Sequence, residues 1–206
     1  VQTLGEAPYE HFNTRFDNDF YLLRLNTQLN RSLGSQRLEW RVGGTTARWT
    51  SDGRRVEVGG ATPGLRTDDS ATTNREASTT AKLTTPLGES HTLVSGVELA
   101  RQQRDERRLT TLDGVPALAD FGENFGASVQ RWALYTQDEW ALSKQVDLQL
   151  GLRGESIRTE GTGASQGNAR NSSTVWTPLL HGVWRPDPAR KDQLRLSLTR
   201  SYRAPT

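Results

Sequence analysis

Side chains that carry out chemistry are few in this sequence and widely spaced. It has no cysteine, which excludes disulfides, thiolate nucleophiles and cysteine-ligated zinc. Its three histidines, His11, His91 and His181, lie far apart, and none has a second ligand at metal-site spacing. Ser95 and His91 could join an aspartate in a triad on paper, but no nucleophile elbow surrounds the serine. The residues therefore predict a protein that is not an enzyme and that has no metal site and no cofactor.

Arginine is the abundant charged side chain. Of 26 basic residues three are lysines, which leaves 26 − 3 = 23 arginines, and 24 acidic residues reduce the net charge to +2. The most charged stretch, RQQRDERR at 101–108, is interrupted by acids, which argues against a nucleic-acid arm. It reads first as a solvated stem and second as a contact surface for an anionic solute. The candidates for such contact, here and in two other polar stretches, are Arg54, Arg55, Arg66, Arg104, Arg107, Arg108, Phe121 and Phe125.

The pattern along the chain that could position these residues is an alternation of apolar and polar side chains, with a period of two. In QVDLQLGLRGES at 145–156, apolar residues alternate with polar ones, as in a strand with one apolar face. The same analysis predicts eight strands, near 21–30, 37–42, 77–83, 93–102, 129–142, 145–156, 175–184 and 193–199. The apolar face of the 175–184 segment cannot be decided from the sequence.

The predicted connections alternate strictly in length. Short ones lie at 33–36, 86–90, 142–145 and 186–192, and long polar ones lie at 50–73, 103–128 and 158–174. A transmembrane β-barrel has short turns at one end and long loops at the other. Apolar residues make up only 33% of the chain, which suits a wide barrel whose lumen needs no packed core. The pattern favours an all-β, antiparallel up-and-down meander of about eight strands, part of a large transmembrane β-barrel.

Three segments resemble the barrel of TonB-dependent outer-membrane receptors. RWALYTQDEWALSKQVDLQLGLRGESI at 131–157 is similar to that family's strand–turn–strand unit, with its Y-x-Q-D and L-G-L-R motifs. TLVSGVELARQQRDERR at 92–108 resembles its L-x-x-G-x-E strand, and LRLSLTRSYRAPT, which ends at Thr206, resembles its later hairpin with the F/Y-R-A-P-S/T pattern. The resemblance covers about 72–206 by motif and the first third by strand rhythm.

The resemblance implies a function and a setting. Receptors of this family lie in the bacterial outer membrane and take up scarce solutes, commonly ferric siderophores, through a barrel of about twenty-two strands that holds a plug. The TonB complex supplies the energy through the plug region. We therefore expect residues 1–206 to be a partial barrel domain without the plug and the remaining strands, with outer-membrane lipid around it and no nucleic-acid partner. Val1 and the lack of methionine agree with a processed or partial chain.

Two alternatives remain open at this point. The chain could form a complete eight-stranded outer-membrane barrel with an adhesive or structural role, since eight strands close a barrel filled by side chains. It could also form a soluble β-barrel that binds a ligand. For the partial barrel we expect open strand edges, through which the isolated segment would self-associate.

Overall fold

A computed structural model shows one antiparallel sheet and describes residues 11–59, 64–117, 124–163, 167–187 and 189–200. The strands run in chain order across the sheet, except that the short β5 pairs only with β4, so that β6 follows β4. Their bounds are β1 His11–Leu33, β2 Gln36–Val58, β3 Gly64–Leu87, β4 His91–Leu112, β5 Val115–Ala117, β6 Asn124–Ala141, β7 Val146–Gly163, β8 Gly167–Trp184 and β9 Leu194–Thr199. The predicted all-β meander is thereby confirmed.

The register is continuous along every pair of long strands, so alternate residues define two faces from end to end. Trp40 pairs with Ala81, and the same row continues through Val97 and Leu134 to Trp176. We call the side of this row the apolar face. The apolar face of the 175–184 segment could not be decided from the sequence. The register shows that this face carries Trp176, Pro178, Leu180, Gly182 and Trp184 of β8.

The neighbouring row defines the polar face. There Glu39 pairs with Lys82, and the row continues through Gly96 and Tyr135 to Arg153. Neither face packs against a second layer: among the described residues only Val94 and Ala133 are buried apolar side chains. Leucine side chains of the apolar face are exposed; that of Leu25, for example, is 69% exposed. A soluble fold needs a buried core, so this sheet does not support the soluble alternative.

The prediction of three long loops at 50–73, 103–128 and 158–174 is wrong in large part. Strand β2 continues to Val58 and β3 begins at Gly64, while β7 reaches Gly163 and β8 begins at Gly167. The backbone N–H and C=O groups of these polar stretches are paired in the ladder, as extended strands require. Both faces are polar there, so no alternation marked them as strands. The long connections are instead extensions of the sheet.

A two-residue turn inside the predicted 103–128 loop joins β4 to β5. Asp113 and Gly114 both have positive φ, 50° and 81°, as a type I′ hairpin turn requires. The amide of Asp113 donates to the carbonyl of Leu65 (2.7 Å), and the Asp113 Oδ1 accepts from the Leu65 amide (2.8 Å). Asp113 thus continues the pairing between β3 and β4 beyond the end of β4. The Asp-Gly dipeptide is the sequence signal for this turn.

The apolar face carries its uncharged side chains in a band. On β3 the band runs from Ala77 to Leu87, which is 87 − 77 = 10 residue steps, and Arg75 limits it. At about 3.3 Å per step and a strand tilt of about 40°, ten steps give a height of about 25 Å. That height matches the apolar belt of a transmembrane barrel.

The edge of this band shows the tilt directly. Tyr21 of β1 marks the edge, and its row reaches Gly126 on β6 and Asn168 on β8. The band on those strands instead ends at Trp132 and Trp176, which lie 132 − 126 = 6 and 176 − 168 = 8 residues nearer the short turns. A drift of about 1.4 residues per strand, with strands about 4.8 Å apart, corresponds to a tilt of about 40°.

The sheet does not close on itself. Within the described residues β1 pairs only with β2, and β9 pairs only with β8. The alternative of a closed eight-stranded barrel is therefore not supported. Across the ranges that the structure describes, no helix is long and apolar enough to cross a membrane.

Candidate functional site

The polar face is held together at the level of the apolar band by an arginine between two acids. Arg153 donates from Nη1 and Nη2 to the two carboxylate oxygens of Glu98 (2.9 and 2.8 Å). It also donates to Glu155 (2.8 Å). Paired, parallel hydrogen bonds between guanidinium and carboxylate are among the strong polar contacts. This cluster therefore fixes β4 against β7 across the intervening β6.

Tyr135 lies over Gly96 beside this cluster. A Cβ at Gly96 would overlap the Tyr135 ring, so the glycine leaves the space that the ring fills. The Tyr135 ring centroid lies 6.0 Å from the Arg153 guanidinium carbon. Gly96 and Glu98 come from one of the segments that carried the sequence resemblance, and Tyr135 and Arg153 come from another. These side chains meet in the folded sheet, so the motifs that contain them hold neighbouring strands together.

A second group of charges lies on β2 and β3 at the same level. The Lys82 Nζ lies 3.1 Å from Glu39 Oε1, and Arg37 and Arg41 lie 3.5 and 3.8 Å from the same carboxylate. Three cations therefore surround one acid. The charges of the wall at this level are paired both along single strands and across neighbouring ones.

The outer part of the polar face carries a tighter cluster around Asp68. Arg66 donates two hydrogen bonds to this carboxylate (2.8 and 3.1 Å). The hydroxyl of the buried Thr110 donates a third (2.6 Å), and Arg108 lies 3.8 Å away. The Arg66 hydrogen bonds hold the pKa of Asp68 below its usual range, with help from Thr110 and Arg108 and against partial burial. Asp68 is thus kept ionised and orients both arginines.

Three arginines in this outer region share a pattern: each contacts an acid two residues further along its own strand. Residues i and i+2 lie on the same face of a strand. The pairs on the polar face are Arg55–Glu57 (3.0 Å), Arg66–Asp68 (2.8 Å) and Arg104–Glu106 (3.0 Å). The Arg55 guanidinium also lies 4.1 Å from the centroid of the Phe12 ring. The acids hold the arginines extended along the wall.

The structure divides the residues that the sequence suggested for solute contact. Arg55, Arg66, Arg104, Arg108 and Phe125 lie on the polar face, all on strands rather than on the expected loops. Two others, Arg54 and Arg107, are exposed on the opposite face and so are not brought together with them. Phe121 lies outside the described residues, as do Tyr202 and the rest of the closing motif at 202–206.

Asp68 and Thr110 were not among the residues that the sequence suggested. Asp68 organises the outer cluster, and Thr110 pairs directly with it through the register of β3 and β4. The recurrence of Arg-x-Asp and Arg-x-Glu was a usable signal for the acids, because residues two apart share a face of a strand. The threonine gave no signal before the register was known.

The arrangement on the outer polar face is suited to binding an anionic group. Within the described ranges, no group of three or more His, Asp or Glu side chains could hold a metal ion. What the outer polar face offers is a set of oriented guanidinium groups on a rigid sheet. Such groups recognise carboxylates and phosphates through paired hydrogen bonds.

Comparison with known proteins identifies a protein family whose model matches this chain. Residues 2–206 match the family model described as "TonB dependent receptor-like, beta-barrel". Among solved structures, the ferric citrate transporter FecA in its unliganded form superposes with a TM-score of 0.52 and 18% identity, over 87% of this chain and 26% of FecA. BauA, the ferric preacinetobactin receptor of Acinetobacter baumannii, gives a TM-score of 0.48 and 14% identity over 87% of this chain and 30% of that one. No curated protein matches the sequence.

Proposed function

Because the chain belongs to the TonB-dependent receptor β-barrel family, which lies in the bacterial outer membrane, we propose that it forms part of the wall of a receptor for active uptake of a scarce solute. A ferric siderophore or a similar anionic iron chelate is the proposed solute. The chain spans 26% of the length of FecA, so uptake is a property of a whole receptor to which this wall contributes. The proposed partners are the solute, outer-membrane lipid and the TonB complex, which acts on the plug that the family carries.

The orientation of the wall follows from its two ends. The short turns lie on the inner, periplasmic side, and the polar extensions beyond the apolar band project outward. The apolar face then meets lipid and the polar face meets the lumen. Each polar-face candidate, from Arg104 outward to Arg55, lies beyond the band on the outer side.

The observation that carries the proposed solute class is the outer cluster of oriented arginines. Arg66 and Arg108 converge on the single carboxylate of Asp68, so this site keeps one positive charge in excess. Iron chelates of the citrate and siderophore type carry carboxylates or other anionic oxygens. A guanidinium held in place by its own acid can donate its remaining N–H groups to such oxygens without further ordering.

The test uses the full-length protein that carries these residues. Arg66→Gln combined with Arg108→Gln is expected to weaken binding of ferric citrate or a ferric siderophore at least tenfold, as measured by quenching of tryptophan fluorescence. Loss of two charge-assisted contacts accounts for this magnitude. Uptake of iron-55 as the same chelate should fall in parallel at subsaturating concentration.

The matched control is Arg54→Gln combined with Arg107→Gln. These arginines lie at a similar height on the opposite face, so binding should stay within about twofold of the original protein. Equal losses in both double variants would show that the arginines act through general surface charge, and the proposed site would be wrong. Failure of the original protein to bind or import any ferric chelate would overturn the solute class.

A further inference from the structure

Four arginines border the outer edge of the apolar band, one on each of four strands. They lie on the apolar face itself, at the first or second position beyond its uncharged stretch. We call them the arginine row: Arg48 of β2, Arg75 of β3, Arg101 of β4 and Arg158 of β7. On β6, Gln130 fills the place between Arg101 and Arg158, directly opposite both. The row is therefore a continuous series of hydrogen-bond donors along the band.

The register places neighbouring members of the row close together. Arg48 pairs with Thr73, two residues from Arg75, and Arg75 pairs with Gln103, two residues from Arg101. Such diagonal neighbours on one face lie about 7–8 Å apart. Two adjacent guanidinium groups can therefore contact one phosphate or two phosphates of a single headgroup. From Arg48 through Arg75 to Arg101 the diagonal order follows the drift of the band, so these three arginines keep a similar height in a tilted sheet. Arg158 continues the row directly across from Arg101 through Gln130.

The row carries more positive charge than its own acids neutralise. Arg75 pairs with Asp105 at 3.0 Å and Arg158 pairs with Glu160, whereas Arg48 and Arg101 have no ion pair among the described residues. Arg101 acts on Glu160 only as a nearby charge. Four arginines and two acids leave an excess of +2. Arg48, Arg75 and Arg101 are exposed, so that excess is available to a partner.

We propose that the arginine row binds the phosphate groups of the phosphorylated glycolipid of the outer leaflet. Its position selects this occupant, because the row continues the lipid-facing band on the side away from the short turns. Guanidinium groups bind phosphate through paired hydrogen bonds, and their stems can lie along the acyl chains while the charge stays at the headgroup. A lipid with two phosphates matches a row of arginines better than one with a single phosphate.

This inference goes beyond solute uptake and uses different residues from the proposed binding site. The test reconstitutes the full-length protein in nanodiscs of phosphatidylcholine that contain a minor fraction of diphosphorylated lipid A. Lipid retained by the protein is quantified by native mass spectrometry, and the affinity by titration at two salt concentrations. Folding of each variant is checked by the shift in gel mobility on heating.

The informative variant replaces Arg48, Arg75, Arg101 and Arg158 together by glutamine. Each basic residue near an anionic lipid surface contributes about a fivefold change in binding, and two of the four are already paired, so we expect a loss of at least tenfold. The matched control is Arg24→Gln with Arg131→Gln. Both lie on the polar face, Arg131 directly beside Gln130 and Arg24 three residues nearer the short turns than Tyr21, the partner of Arg48. They should leave binding within about twofold.

The lipid comparison identifies the phosphate source. Diphosphorylated lipid A should bind more tightly than the monophosphorylated form, and both should exceed phosphatidylglycerol. The proposal is overturned if the row variant binds lipid A as the original protein does, or if the control variant loses as much. Equal binding of phosphatidylglycerol would also overturn it, since the row would then respond only to negative surface charge. None of these results bears on solute binding at Arg66 and Arg108.

Discussion

At the residue scale, the wall depends on contacts in which one strand leaves room for a side chain of the next. Gly96 is needed because the Tyr135 ring lies where its side chain would be. On the apolar face Gly154 has the same relation to Trp176, whose ring would meet a Cβ at 2.8 Å. Beside the first of these contacts, Arg153 joins Glu98 through two parallel hydrogen bonds. Shape therefore fits β4 to β6 and β7 to β8, and charge joins β4 to β7.

Replacing Glu98 by glutamine should destabilise the protein by about 1–2 kcal/mol. The amide N–H₂ would face a guanidinium N–H, so one of the two hydrogen bonds is lost together with the charge. The measurement is the free energy of unfolding in denaturant, for the full-length protein in detergent micelles. Glu106→Gln serves as the control, because Glu106 accepts one bond from Arg104 near the rim, and its loss should cost below about 0.5 kcal/mol. Equal costs would show that the paired geometry adds nothing.

At the element scale, the main finding is the length of the strands. The described β1 to β4 have 22 to 24 residues each, whereas about 10 residues cross a bilayer as a tilted strand. The remainder forms a ladder beyond the membrane. Asp113 extends that ladder, because its side chain accepts from Leu65 after β4 has ended. The described candidates for solute contact therefore lie on strands of the sheet and not on loops.

Removing the Asp113 carboxylate should loosen the start of β3. In Asp113→Ala the Leu65 amide loses its acceptor, at a cost of about 1 kcal/mol, so exchange of that amide with solvent should quicken about fivefold. Hydrogen exchange read by mass spectrometry on peptides from 64–70 measures this. Asp113→Asn keeps an acceptor oxygen and tolerates the positive φ of this position, so its exchange should stay close to the original. Fast exchange in both variants would contradict the capping role.

The sequence predicted the strands where a lipid phase separates the two faces and failed where water meets both. Leu148, Leu150 and Leu152 alternate with polar residues because only one side of β7 is lipid-facing. The stretch from Thr50 to Val58 has no such contrast, and it was interpreted as a loop. The candidate arginines could be named from composition, but their division between faces depends on counting residues through an unbroken register. Arg54 and Arg55 point in opposite directions because both lie in β2, and the sequence did not show that β2 extends that far.

At the scale of the whole molecule, the sheet presents two unpaired edges. Within the described residues β1 and β9 each have one neighbour, and an unpaired strand carries a row of free donors and acceptors. A receptor barrel satisfies such edges by continuing the sheet on either side. In the part of the isolated chain that the structure describes, no strand covers either edge, so these edges are available to other copies.

We therefore expect the isolated chain to self-associate through β1 when it is refolded in detergent. The lack of cysteine allows single reporters: Leu25→Cys on β1 and Ala77→Cys on β3 lie in one row of the apolar face, one at the edge and one inside. A short bifunctional thiol cross-linker should join copies through position 25 much more than through position 77. Cross-linking of similar extent at the two positions, or none at either, would rule out association through the edge.

The Arg-x-acid pairs of the outer wall have a consequence for how such walls can be rebuilt. Beyond the membrane, Arg55, Arg66 and Arg104 each find a counterion within their own strand. At membrane level Glu98 depends on Arg153 of another strand, whereas Glu39 has cations both on β3 and on its own strand. An outer hairpin transplanted into a related receptor brings its own charge balance with it, whereas a graft cut between β4 and β7 at membrane level leaves Glu98 without its cation. Chimaeras that exchange only the outer segments should therefore be the ones that tolerate recombination of specificity.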